Sequence, residues 1–195
     1  MYRQGTFVSY KISMEKNVSL FKKIHVVLLA VGFALSLYLL FVSKSSTLLS
    51  VMFLLRAAAF VASFVYLTEG YKKNADLFYK MFLWLVGLST IISYTSFISL
   101  GMKLTMFKSF ITVMILVSFI FIIAAKDYGK VKSNIISITL AVLNVINIAM
   151  ILKSTNYDVL NPNVLIAIGQ LILALTLAIM VWVKYLDKEA RGAKI

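Results

Sequence analysis

Six stretches of this chain, about 24–43, 47–67, 81–100, 109–125, 134–152 and 163–183, consist almost entirely of Leu, Ile, Val, Phe, Met, Ala and small polar residues. Each is close to the twenty or so residues that an α-helix needs to cross the hydrocarbon core of a bilayer. Backbone exposed to lipid must satisfy its own hydrogen bonds, which leaves helices or closed barrels. The short alternating segments of barrel strands are absent, so helices remain. The expected fold is an all-α integral membrane protein with six transmembrane helices, arranged as three helical hairpins. Residues 1–23 form a cytoplasmic or interfacial segment, 24–185 the six-helix domain and 186–195 a cytoplasmic tail. The fourth span is the shortest, and Lys108 at its start can snorkel to the interface. The first span lies behind a polar segment, exceeds a signal core and has no small-x-small site after it, so it is expected to be retained.

Lysine and arginine set the orientation. The N-terminal segment, the second and fourth loops and the C-terminal tail carry fifteen of them, against four (Lys44, Lys103, Lys108, Lys153) on the opposite side. Both termini are therefore expected in the cytoplasm. The net charge of +13 would point to nucleic acid in a soluble protein. Here the basic residues flank the spans, so the expected partner is the anionic lipid of the cytoplasmic face, and nucleic acid is not expected. The abundance of Lys, Ile and Asn fits an AT-rich genome and hence a bacterial cytoplasmic membrane. Tyr71, Tyr128 and Tyr185 recur every 57 residues after the even-numbered spans, as equal hairpins ending at a tyrosine-rich interface would give.

Within residues 1–23, Phe7, Tyr10, Met14, Val18 and Phe21 recur at helical spacing, which predicts an amphipathic helix in the headgroup layer. Val8, Tyr10, Ile12 and Met14 also alternate with period two, but a helix suits an anchored protein better. Asn161 and Pro162 predict a turn that starts the last helix.

Arg56 stands alone in the second apolar run. An arginine at the centre of a membrane helix costs about 2.5–3.5 kcal/mol on insertion scales, so it should face the bundle interior. Ala59 and Ser63 share its face, and Ala58 and Ala62 allow close helix approach. Two readings stay open: an internal strut held by carbonyls and amides, or an anchor for an anionic or carbonyl-bearing ligand. The third span carries Ser89, Thr90, Ser93, Tyr94, Thr95, Ser96 and Ser99; the fifth carries Asn144 and Asn147, and the sixth Gln170. Arg56, Ser93, Asn144, Asn147 and Gln170 are the candidate ligand-binding residues, lining a polar cavity that opens outward. Hydroxyls that bond their own helix, and amides that join helices, are the plainer alternative.

All seven carboxylates, Glu15, Glu69, Asp76, Asp127, Asp158, Asp187 and Glu189, fall outside the spans. With no Cys and a single His, no catalytic constellation or metal site is expected, and no cofactor. His25, at the start of the first span, reads as an interfacial histidine, and Trp84 and Trp182 as interface anchors. The preferred expectation is a non-enzymatic protein that binds or conducts a small polar or anionic solute. An accessory subunit of a larger membrane complex, a homo-oligomer or a membrane sensor is the alternative, and a lipid-modifying enzyme lacks its residues.

Overall fold

The computed structural model describes residues 3–42, 47–69, 75–99, 113–115 and 129–192, with side chains described for 19–42, 47–68, 76–93, 113–115 and 131–185. The described residues are helical apart from the 155–161 turn. The helices are α1 (Arg3–Val42), α2 (Thr47–Glu69), α3 (Ala75–Ser99), α4 (Gly129–Ser154) and α5 (Pro162–Gly192). All five are long and apolar enough to cross a membrane, as in a multi-pass integral membrane protein. The expected fourth span, 109–125, lies outside the described residues except for the helical residues 113–115. Tyr71 and Tyr128 lie outside them as well.

α1 packs against both α2 and α5, and α2 touches α5, so these three helices form the centre. α3 lies along α2, and α4 along α5. The main core cluster joins Leu29 of α1, Ala59, Phe60 and Tyr66 of α2, Phe82 and Val86 of α3, Leu140 of α4, and Leu173, Leu177 and Met180 of α5. Gly32 permits a close approach of α1 to α2, because a Cβ there would run into the ring of Phe60.

The outer faces are apolar too. Val27, Val31, Phe41, Leu54, Phe64, Trp84, Leu88, Ile135, Val142 and Val145 are exposed, whereas Arg56, His25, Ser63, Thr90, Asn144 and Gln170 are buried. Large contiguous apolar surface is rare on soluble proteins. In lipid it carries no penalty, and polar groups are driven inward to find each other.

Residues 3–23 are helical and continue into the first span without a break. The α4–α5 turn follows its sequence closely. Tyr157 N–H donates to Leu152 O at 2.8 Å, closing α4 with Asn156 (φ 50°) and Tyr157 (φ 61°) in the left-handed region. Asn161 Oδ1 then accepts the Asn163 N–H at 3.0 Å, capping α5 with Pro162 at its first position.

Candidate functional site

Arg56 is 1% exposed, and its guanidinium is turned into the bundle. Nη1 donates to the Ile166 carbonyl at 2.8 Å, and Nη2 to Gln170 Oε1 at 2.8 Å. Gln170 Nε2 donates onward to Thr90 Oγ1 at 2.8 Å, and the Thr90 hydroxyl donates to Val86 O at 2.8 Å. One continuous chain of hydrogen bonds therefore links α2, α5 and α3. Gln170 is well suited to the bridge, since its amide offers an acceptor to the cation and donors to the hydroxyl. Gly169 leaves room for the guanidinium: a Cβ there would sit 3.2 Å from Nη1.

Every acceptor in this chain is neutral. Among the described residues no carboxylate lies in salt-bridge contact with Arg56; Asp76 pairs instead with Lys80 at 3.1 Å and Lys184 at 3.9 Å. Nε of Arg56 is buried without a hydrogen-bond partner.

Of the five residues selected from sequence, the structure joins two directly, Arg56 and Gln170, and adds Thr90 as the third link. Asn144 is fully buried on α4, but its Nδ2 donates to Leu140 O of its own helix at 2.9 Å, and its Oδ1 has no partner. Ser93 and Asn147 are half-buried on α3 and α4 and take no part in the Arg56 chain. Ser89 bonds Val86 O at 2.9 Å, the self-helix alternative for membrane hydroxyls. The guanidinium is enclosed, not spread along an open wall.

A second buried polar group, which sequence reasoning missed, lies toward the other end of α2. His25 is 0% exposed, and its Nε2 lies 2.7 Å from Ser63 Oγ. The Ser63 hydroxyl donates to Met180 Sδ at 3.0 Å. The expected headgroup-level histidine is thus walled in by α1, α2 and α5. The available signal was Ser63 on the Arg56 face, since a buried hydroxyl at that position needs a partner.

No protein-family model, curated protein or solved structure matches this chain.

Proposed function

We propose that this chain is a non-enzymatic, multi-pass membrane protein that binds or conducts a small polar or anionic solute at Arg56. The reading carries with it six spans with both termini in the cytoplasm, and a bacterial cytoplasmic membrane whose anionic lipids meet the lysine-rich side. The supporting observation is a permanently charged group enclosed, among the described residues, by neutral acceptors only. A guanidinium has five N–H donors, and among the described residues two are matched while Nε has no partner. Removing such a cation from water costs several kcal/mol, which one carbonyl and one amide oxygen offset only in part. An anionic or carbonyl-bearing solute on the unused donors would offset more, with the planar fork fixing its orientation. Gln170, held from behind by Thr90, keeps the fork in register. Asn144, with a free Oδ1, and Ser93 and Asn147 would line the approach from the outer side.

The same bonds favour a second reading, in which Arg56 is a brace and the chain is an accessory subunit or sensor assembling with other membrane helices. Thermal unfolding of the detergent-purified protein in chloride, acetate, bicarbonate and phosphate separates the two. A solute site predicts that at least one anion raises the wild-type midpoint, by about 2.7 kcal/mol of stabilisation at a hundredfold excess over its dissociation constant. Arg56→Gln should abolish that rise, and Arg56→Lys should weaken it. A folded Arg56→Gln protein that keeps the full anion response contradicts the solute site, as does a wild type that responds to none of them.

A further inference from the structure

We infer that His25 is a proton-binding site inside the membrane domain, with Nδ1 as the atom that takes up the proton. The argument begins with hydrogen counting. A serine hydroxyl has one hydrogen, and the thioether of Met180 has none to give, so the 3.0 Å contact uses the Ser63 proton. With the Ser63 proton on Met180 Sδ, the 2.7 Å contact runs in the other direction, and Nε2–H of His25 donates to Ser63 Oγ. In that arrangement the neutral tautomer is Nε2–H, and Nδ1 is a bare lone pair. Nδ1 is buried and has no hydrogen-bond partner among the described residues. A basic nitrogen held in this way does one thing that no other described group within the spans is placed to do: it can accept a proton and return it.

The surroundings are defined from each helix that packs there. On α1, Lys22 lies one turn before His25; on α2, Tyr66 lies one turn beyond Ser63. On α5, Lys184 lies one turn beyond Met180, with its ammonium 3.9 Å from Asp76 and 4.8 Å from the centre of the Tyr79 ring, both on α3. These groups stand on the side of the bundle where the lysines of α1 and α5 gather, so the proton would exchange with that side. Arg56 lies in the opposite direction, seven residues away on α2, or about 10 Å at 1.5 Å per residue. Phe60, packed on Gly32, separates the two layers.

Two positive groups at that spacing in a low-dielectric interior oppose each other. Proton uptake at His25 and positive charge at Arg56 are therefore linked, and an anion that neutralises Arg56 favours the proton. By reciprocity the proton favours the anion equally. This last step rests on the solute reading above; the proton site itself does not.

The chain has a single histidine, so ¹⁵N-histidine labelling gives one imidazole in the NMR spectrum of the intact protein. The expected result is the Nε2–H tautomer at high pH, converting to imidazolium as the pH falls while the protein stays folded. The Nδ1–H tautomer, or an imidazole that stays neutral down to unfolding, overturns the proposal. Ser63→Ala should lose the tautomer preference and keep the titration. Arg56→Gln should move the midpoint to higher pH, and an unmoved midpoint overturns the linkage. No anion probe enters this experiment, so an absence of anion binding leaves its outcome intact.

Discussion

Arg56 and Gln170 show what a single residue contributes when lipid surrounds the fold. Hydrophobicity distinguishes inside from outside poorly here, because the exposed faces of the described spans are apolar too. Polar pairing does, and the Arg56–Gln170–Thr90 chain specifies which faces of α2, α3 and α5 meet. Gln170→Leu would leave Nη2 and the Thr90 hydroxyl each short of a partner. A loss of about 2–4 kcal/mol in reversible unfolding is expected, more than the usual interhelical contact, because a buried charge is left uncompensated. Gln170→Glu, which supplies a carboxylate, should be tolerated or stabilising. The inward turn of Arg56 was legible in the sequence, since a lone charge in an apolar run has nowhere else to go. The partnership with Gln170 was legible through shared depth. Asn144 shared that depth, yet its amide turned to its own helix; the choice between self and neighbour is made by packing, which a sequence does not display. The burial of His25 was not legible for a related reason: its place at the start of an apolar run gives its position along the span, whereas the enclosure by α2 and α5 is made by packing.

At the scale of elements, the close passage of α1 across α2 depends on Gly32. Gly32→Ala would force the Phe60 ring aside in a packed core, and overpacking of this kind costs about 1–3 kcal/mol. A Phe60→Leu second substitution should restore part of that loss, whereas a mutation acting only through helix propensity would show no rescue, and alanine would even stabilise. The start of α5 offers an independent test. Asn161→Ala removes the side-chain acceptor of the Asn163 N–H and should cost about 1 kcal/mol, read in the unfolding midpoint. Asn161–Pro162 was readable as a helix start because both residues act through local backbone chemistry. The uninterrupted α1 was not: the amphipathic spacing of Phe7 to Phe21 announces a helix but gives no sign of whether it bends at residue 23.

For the whole molecule, lipid-facing surface and polar interior invert the soluble pattern, and the lysine asymmetry predicts a direction. The chain contains no Cys, so single cysteines can be introduced without background. Asp158→Cys, in the exposed α4–α5 turn, should react with a membrane-impermeant maleimide from outside intact cells, and Lys188→Cys only after permeabilisation. The reverse pattern would invert the orientation, and with it the side from which a solute reaches Arg56 and a proton reaches His25. The two polar layers, one at Arg56 and one at His25, are separated by the Phe60–Gly32 contact.

All of this depends on the guanidinium of Arg56 being engaged with α5 inside the bundle. A double-mutant cycle between Arg56→Met and Gln170→Leu, read as unfolding free energy in detergent or bicelles, measures that engagement directly. A charge-assisted, enclosed pair predicts a coupling of about 1.5–3 kcal/mol. Strictly additive single mutants would mean that the arginine does not hold α5, and the account of the site would fail with it.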